Sequence, residues 1–188
     1  MTDRRTNPTA RSDRPTRRQA IIELTTAVGG MVLLPAQAHA EDNNGVSHTA
    51  ESIHQEPLFK ATPKQLYEAL LDTKQFDKVI QLSGVMSSGA LGSKPTSISR
   101  DEGGPFTIFG GYIIGRQIEL KPDERIVQAW RVGSWEPGVY SIARFDFLQH
   151  GPETRIVFDH TGFPKGTADH LAAGWKAHYW VPLDKLFA

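Results

Sequence analysis

Five consecutive segments in the second half of the chain alternate apolar with polar residues. They span residues 105–109, 111–121, 125–132, 140–149 and 154–161, and each is rich in Ile, Val, Phe, Tyr or Trp. Successive side chains of a strand point to opposite faces of the sheet, so one apolar face per strand indicates a sheet that is covered on one side. The pattern therefore predicts an antiparallel β-meander.

The alternation also predicts which side chains share one face of each strand. Arg144 and Asp146 fall together on one face of the fourth segment, opposite its phenylalanines. The residues predicted to share an apolar face are Tyr112, Ile114, Ile118 and Leu120; Ile126, Gln128, Trp130 and Val132; Ala143, Phe145 and Phe147; and Ile156, Phe158 and His160.

Helices are predicted before the meander. Residues 51–59 form a first predicted strand, after which Thr62, Pro63 and Gln65 supply an N-cap, a favoured first helical residue and a capping box. A second short helix is predicted over residues 73–80 by its apolar spacing.

A long loop, residues 81–104, separates these helices from the meander. It is rich in Gly and Ser and holds a weak predicted strand near residues 96–100. Long loops in compact domains often form lids or mouths of binding sites. Two interpretations stay open here, a functional loop and an adaptable surface loop.

A long C-terminal helix is predicted to cover the sheet. Thr167 is its expected N-cap, and Asp169 lies in the first turn, where the helix dipole favours an acid. Pro182 removes a backbone donor to the carbonyl of His178, so a bend is expected there. One broad apolar face is formed by Leu171, Trp175, His178, Tyr179, Pro182 and Leu186.

The first 40 residues have the three parts of a secretory signal. Arg17 and Arg18 precede an apolar stretch that Glu23 interrupts, and small residues follow, with cleavage expected after Ala40. The paired arginines resemble a twin-arginine signal, which implies the twin-arginine export machinery as a partner and a periplasmic or secreted protein. A general secretory signal and a disordered tail with an incidental Arg pair are the alternatives. Residues 41–50 are polar and are predicted to be a flexible linker.

Charge and composition narrow the function classes. Residues 1–40 carry six Arg and three acids, and the remaining chain has a net charge of −3, so no concentrated basic surface for nucleic acid is expected. Cysteine is absent, which excludes disulfides, thiolate catalysis and Cys-ligated metals. The apolar part of the leader is too short for a permanent membrane anchor.

Motifs for common cofactors and catalysts are absent from the sequence. There is no HExxH, GxSxG, Walker or dinucleotide-binding pattern. His170 and His178 are two helical turns apart, about 12 Å by helical rise, so one metal does not reach both. We therefore expect neither a metal nor another cofactor.

Four segments together resemble the START-like, or SRPBCC, superfamily, and within it the branch named after the C-terminal domain of the activator of the Hsp90 ATPase. They are TPKQLYEALLD, GGPFTIFGGYIIGRQIELKPDERIVQAWR, RFDFLQHGPETRIVFDHTGFP and HLAAGWKAHYWVPLDKLF. The resemblance covers residues 51–188 and implies an α+β helix-grip fold. In that fold a curved antiparallel sheet wraps around a long C-terminal helix, with two short helices after the first strand. It also implies a hydrophobic ligand cavity, but not one activity.

The resemblance and the residues together suggest candidate cavity side chains. Arg144 and His160 are candidate polar anchors, and Trp135 lies in a turn that is expected to rim the cavity mouth. The alternatives are a buried structural His160, an Arg144–Asp146 surface charge pair, and aromatic residues that only fill the core. The candidate walls are Tyr112, Trp130, Phe158, Trp175 and Tyr179.

Three functions fit this sequence. The first is an exported protein that binds a small, mostly hydrophobic molecule between the sheet and the C-terminal helix. The second is a cyclase- or hydrolase-like enzyme on the same cavity, with His160 or Asp146 as base. The third is a protein-interaction module of the Hsp90-activator type. Hsp90 and ATP belong to the cytosol, so the predicted export signal argues against the third.

Overall fold

The predicted elements are present in the computed structural model, which describes residues 51–85 and 92–188. The predicted signal and linker, residues 1–50, and part of the predicted loop, residues 86–91, lie outside the described residues. The elements in chain order are β1 (Glu51–Gln55), β2 (Leu58–Phe59), α1 (Pro63–Leu71), α2 (Thr73–Ser83), β3 (Ser97–Ile98), β4 (Pro105–Ile108), a 3₁₀ turn (Phe109–Gly111), β5 (Ile113–Lys121), β6 (Arg125–Val132), β7 (Ser141–His150), β8 (Glu153–Phe163), α3 (Ala168–Trp175), a π turn (Lys176–Trp180) and α4 (Val181–Phe187).

All eight strands belong to one antiparallel sheet. Its strand order is β1-β8-β7-β6-β5-β4-β3, and β2 also pairs with β8. The sheet is therefore a meander from β3 to β8, with the first strands of the domain added beside the last. The curved sheet and the C-terminal helical segment confirm the predicted α+β helix-grip fold.

The predicted faces of β6, β7 and β8 are confirmed. On β7, Ala143, Phe145 and Phe147 are buried, whereas Ile142 and Arg144 are exposed. Their cross-strand neighbours on β6 and β8 follow the same alternation, so the covered face of these three strands is continuous.

The predicted face of β5 is wrong. Ile113 is buried while Tyr112 is 43% exposed, and Gln117 on the inner face is only 1% exposed. A register shift between Gln117 and Glu119 then changes the phase, which brings Leu120 back toward the core. The adjacent pair Ile113 and Ile114 fits either phase equally well, so the alternation alone assigns no face there.

The two helices after the first strands follow the capping signals. The Thr62 hydroxyl accepts from Gln65 N at 3.3 Å and the Gln65 side chain accepts from Thr62 N at 2.9 Å, which is the predicted capping box. The second helix, α2, continues to Ser83, three residues beyond the predicted end. It stops at Gly84, whose φ of 69° is left-handed.

The C-terminal helical segment is not one continuous α-helix. The π turn separates α3 from α4 and ends with Val181 N–H donating to Lys176 O. It ends two residues before Pro182, which has no N–H to continue the regular pattern, so the irregularity occupies the turn preceding the proline. None of the described helices is long and apolar enough to cross a membrane.

The N-terminus of α3 is capped from a distance. Thr167 makes no side-chain cap; its hydroxyl donates to Pro164 O at 2.6 Å. The Glu51 carboxylate instead accepts from Gly166 N at 2.8 Å and Ala168 N at 3.2 Å. The first strand therefore holds the start of the last helix by a charged cap, which local sequence does not reveal.

A buried polar chain links β6, β7, β8 and α3. Trp175 Nε1 donates to His160 Nδ1 at 3.0 Å, so His160 carries its proton on Nε2 and donates to Ser141 Oγ at 2.7 Å. Ser141 in turn donates to Trp130 O at 2.9 Å. His160 is fully buried and both its ring nitrogens are paired.

The first prediction concerns the pH dependence of folding. Burial lowers the pKa of His160 from 6.5 to about 3. Below pH ~6.5 the unfolded chain takes up this proton and the folded protein does not, so stability is lost progressively down to pH ~3. Each pH unit in this window removes up to about 1.4 kcal/mol through this one group.

Denaturant unfolding of His160→Gln between pH 7 and pH 4 tests this prediction. At pH 7 we expect the variant to be about 1–3 kcal/mol less stable, because partners of the imidazole are left unpaired. On acidification it should lose less stability than the wild type. Parallel curves for the two proteins contradict the prediction.

His54→Gln is the control, with the opposite expected sign. Hydrogen bonds to Asp159 at 2.7 Å and, second, to Glu56 at 3.1 Å raise the pKa of the exposed His54. His54 therefore stabilises the fold at pH values below its unfolded pKa, and this contribution disappears as pH rises through its folded pKa. Replacing it should steepen the loss of stability on acidification.

Candidate functional site

The sheet and the C-terminal segment do not fill the space between them. A cavity of about 420 Å³ lies there, bounded by β5, β6, the 3₁₀ turn, α3 and the π turn. Small-molecule sites in proteins typically have volumes of about 300–1,000 Å³. Its apolar walls include Ile113, Trp130 and Val132 on the sheet side and Leu171, Trp175 and Tyr179 on the helical side.

Small residues on the helical side keep this space open. Ala173, Gly174 and Ala177 line the cavity and lie on one face of the helical segment. A Cβ placed on Gly174 would meet no atom within 4 Å. These three residues are not among the predicted cavity residues, although the small residues Ala173 and Gly174 between Leu171 and Trp175 in a predicted helix are a recognisable signal of unfilled space.

Four of the predicted wall residues line the cavity. Trp130 comes from β6, Trp175 from α3 and Tyr179 from the π turn, and Tyr112 follows the 3₁₀ turn with a half-exposed ring. The rings of Trp175 and Tyr179 are tilted by 45° with their centroids 4.2 Å apart, so the aromatic walls are continuous on the helical side.

Two predicted cavity residues lie beneath the walls instead. Phe158 is fully buried, with its ring centroid 4.4 Å from that of Trp175. His160 is fully buried in the polar chain described above and does not line the cavity. Both side chains share the inner face, as predicted, but they contact the ring of Trp175, which itself lines the cavity.

Arg144 does not reach the cavity. It is exposed and donates to Asp146 at 2.6 Å, and Arg125 donates to the same carboxylate at 2.5 Å. Burial disfavours the ionised form of Asp146, but the hydrogen bonds from the two arginines outweigh it and lower the pKa of the carboxyl. The period-two alternation puts Arg144 and Asp146 on the outer face of β7, away from the cavity, which favours the alternative of a surface charge pair.

Trp135 supports the cavity wall from behind. Its ring lies 5.6 Å from Trp130 in an edge-to-face arrangement, and it is partly buried rather than at the mouth. Its carbonyl accepts from the buried guanidinium of Arg131, which also lies 5.5 Å from the Tyr140 ring. The turn after β6 is thereby held against Trp130.

Three buried polar atoms on the cavity residues have no hydrogen-bond partner. They are Trp130 Nε1, His178 Nδ1 and Tyr179 Oη. A weak hydrogen-bonding interaction with Trp130 opposes the effect of burial on the pKa of Tyr179, but the indole N–H and the hydroxyl do not meet the distance and angle of a full hydrogen bond. Unpaired buried polar groups are rare in folded proteins, so their concentration around one cavity is notable.

The cavity edge carries two histidines. His170 and His178 both line it, and each lies about one helical turn from Gly174, which is between them in the sequence. Burial, and secondarily the charge of His170, lowers the pKa of His178. Burial also raises the pKa of Tyr179, against the opposing effect of Trp130. At neutral pH the Tyr179 hydroxyl therefore keeps its proton.

Other features of the described residues are less suited to a small apolar ligand. A groove of about 430 Å³ beside β2 and α4 is shallow, and Glu56, Lys176 and Asp184 contribute to its lining. Within residues 51–85 and 92–188, no group of three or more His, Asp or Glu side chains is placed to hold a metal ion. The sheet–helix cavity is therefore the candidate site.

Curated proteins with similar sequences carry one recurring name. Human activator of 90 kDa heat shock protein ATPase homolog 1 is 27% identical over 93 residues, which is 50% of this chain and 28% of the human protein. The activator homolog of Dictyostelium discoideum is 26% identical over 129 residues, covering 68% of this chain and 30% of that protein. The chain thus spans less than a third of the length of these relatives.

Solved structures agree on the fold. An HSP90 activator from Plasmodium falciparum has a TM-score of 0.58 at 21% identity and covers 68% of this chain and 89% of its own. The Aha1 dimer from Colwellia psychrerythraea has a TM-score of 0.58 at 17% identity and covers 73% of this chain and 96% of its own. At these identities the likeness concerns the fold alone.

The sequence profile of one family matches residues 60–188, which contain α1 to α4 and every strand that bounds the cavity. The match covers more than half of the chain. The protein therefore belongs to the family described as Activator of Hsp90 ATPase homolog 1-like protein.

Proposed function

We propose that this protein binds a small, mostly apolar molecule in the sheet–helix cavity. The observation that carries the proposal is the cavity of about 420 Å³ with largely apolar and aromatic walls. On the helical side, the lining residues Ala173, Gly174 and Ala177 have side chains too small to fill this space. An apolar ligand that enters it removes its own surface and that of the walls from water.

Binding is better supported than catalysis by the groups near the cavity. The candidate base His160 has both ring nitrogens paired, and its pKa is lowered by burial to about 3, which is far from the range that suits a general base at neutral pH. The other candidate, Asp146, is on the outer face in a pair with arginines. Neither is placed to act on a molecule in the cavity.

A protein-interaction module of the Hsp90-activator type is the second candidate function. It is favoured by the family and by the names of the relatives. These relatives are, however, more than three times as long as the segment that they share with this chain. The exposed outer face offers limited apolar surface. On β7, the exposed Ile142 and Leu148 are separated by the charged pair of Arg144 and Asp146.

We also propose that residues 1–40 direct export through the twin-arginine or general secretory route. The support is the order of Arg17 and Arg18, an apolar stretch and small residues before Ala40. Export would separate the protein from cytosolic Hsp90 and ATP. N-terminal sequencing of protein from the periplasmic fraction tests this: a start at Glu41 is expected, and intact Met1 in the cytoplasmic fraction overturns it.

The cavity itself is tested by filling it. N-phenyl-1-naphthylamine, a neutral apolar fluorophore, is expected to bind the wild-type protein with a gain in fluorescence. Gly174→Leu puts a large side chain where the structure has open space, so it should weaken binding at least about 10-fold, the equivalent of losing ~1.4 kcal/mol. Fluorescence titration gives both affinities.

Gly174→Ala is the matched control. Its added methyl group meets no atom within 4 Å, so it should leave probe binding nearly unchanged. In the interior of α3 it should raise the free energy of unfolding by about 0.4–1 kcal/mol. Equal probe affinity in the wild type and Gly174→Leu contradicts the proposed binding site.

The two candidate functions are separated by an ATPase assay. Hsp90 from the same cells is mixed with the wild-type protein or with Gly174→Leu. The binding proposal predicts no stimulation of ATP hydrolysis by either protein. Stimulation that is equal for both proteins would favour the interaction module, because a filled cavity would then not matter.

A further inference from the structure

We propose that Trp130, His178 and Tyr179 recognise a carbonyl oxygen on the molecule that occupies the cavity. This inference rests on the proposed function and adds the chemistry of the ligand to it. The ligand would be apolar over most of its surface, with one neutral oxygen acceptor, as in an aromatic or alicyclic ketone.

The unpaired buried polar atoms are concentrated at one cavity. Within the described residues, the buried side-chain nitrogen and oxygen atoms without a partner are Trp130 Nε1, His178 Nδ1 and Tyr179 Oη. All three belong to side chains that line the same cavity. The buried side chains of His160 and Gln117, which lie elsewhere in the interior, do have hydrogen-bond partners. The unpaired atoms are therefore a feature of the cavity wall.

The hydrogen-bonding chemistry of the three groups indicates what kind of ligand atom they would bind. The indole N–H of Trp130 only donates, so its partner must be an acceptor. Burial raises the pKa of Tyr179, although Trp130 opposes the effect, and the hydroxyl therefore keeps its proton and remains a donor. Burial, with the charge of His170, lowers the pKa of His178, so this ring is not a fixed cation that would select a carboxylate. The set suits a neutral acceptor oxygen.

The side chains of Trp130 and Tyr179 are held rigidly by their neighbours. The Trp130 ring lies 5.5 Å from Trp175 and 4.9 Å from His160, and the latter is fixed by the buried polar chain. Tyr179 packs against Trp175 at 4.2 Å and Phe109 at 5.5 Å. Donors held in this way lose little freedom when a ligand binds, which favours recognition of one oxygen position.

The π turn places two of the three groups, His178 and Tyr179, in the cavity wall. In this turn the consecutive residues His178 and Tyr179 both line the cavity, together with Ala177. Single π turns within α-helices often occur at functional sites. The irregularity before Pro182 thus brings polar groups to a wall that is otherwise apolar.

A pair of probes with the same shape tests the inference on the full chain. 2-Acetylnaphthalene carries a carbonyl group where 2-isopropenylnaphthalene carries a methylidene group. The wild-type protein is expected to bind the ketone about 5-fold more tightly, as one net hydrogen bond predicts. Isothermal titration or quenching of tryptophan fluorescence gives both dissociation constants.

Tyr179→Phe removes one donor and keeps the aromatic wall. The preference for the ketone should fall to about 2-fold or less, while affinity for the hydrocarbon should stay within about 2-fold of the wild type. Tyr140→Phe is the matched control, because Tyr140 is exposed and does not line the cavity. It should leave both affinities unchanged.

The thermal stability of the ligand-free protein gives an independent readout. Removing an unpaired buried hydroxyl should leave the Tm of Tyr179→Phe equal to or higher than that of the wild type. A variant that is at least as stable but binds the ketone less well identifies a hydroxyl reserved for the ligand. A fall in Tm of several degrees would show that the hydroxyl is already paired and would overturn the inference.

The outcomes separate the inference from the function on which it rests. Equal binding of both probes by the wild type overturns carbonyl recognition and leaves the apolar cavity proposal intact. Binding of neither probe overturns both. An unchanged ketone preference in Tyr179→Phe together with its loss in Trp130→Phe would assign the donor to Trp130 and support recognition by the same cluster.

Discussion

The contact that ties the most elements of the fold together is the buried hydrogen bond from Trp175 to His160. It joins the C-terminal segment to the last strand, and through Ser141 and the carbonyl of Trp130 it continues into β7 and β6. The imidazole must be neutral for this arrangement, because Nδ1 accepts and Nε2 donates. The same contact that holds the helical segment on the sheet therefore also orients two aromatic walls of the cavity.

The cavity arises from the way that the helical segment departs from a regular, well-filled helix. Large aromatic rings of Trp175 and Tyr179 support the segment on the sheet, and Gly174 and its small neighbours leave space between these supports. The π turn then brings His178 beside Tyr179 at the wall. Neighbouring residues of the same helical segment thus have different effects: the aromatic side chains pack on the sheet, and the small residues leave the cavity unfilled.

Family membership establishes what kind of fold this protein has, whereas the proposed ligand binding rests on the geometry of the cavity. The match over residues 60–188 establishes the family and, with the solved structures, the fold. It does not carry the activity of relatives of which this chain spans less than a third. The cavity and its unpaired polar atoms are properties of these residues, and they favour binding of an apolar molecule with an oxygen acceptor.

The sequence by itself determined the order of the elements, the capping box at Thr62 and the covered faces of β6 to β8, because these depend on local hydrogen bonds and on strand periodicity. It also identified Trp130, Trp175 and Tyr179 as residues of the inner surface. Only the tertiary structure decided the phase of β5, where a bulge follows Gln117, and the cap of α3, which comes from a residue more than a hundred positions away. It likewise decided that His160 is buried with both ring nitrogens paired, because burial and hydrogen-bond partners depend on packing. It also decided that the space beside Gly174 stays open, because a cavity exists only between elements that local sequence does not bring together.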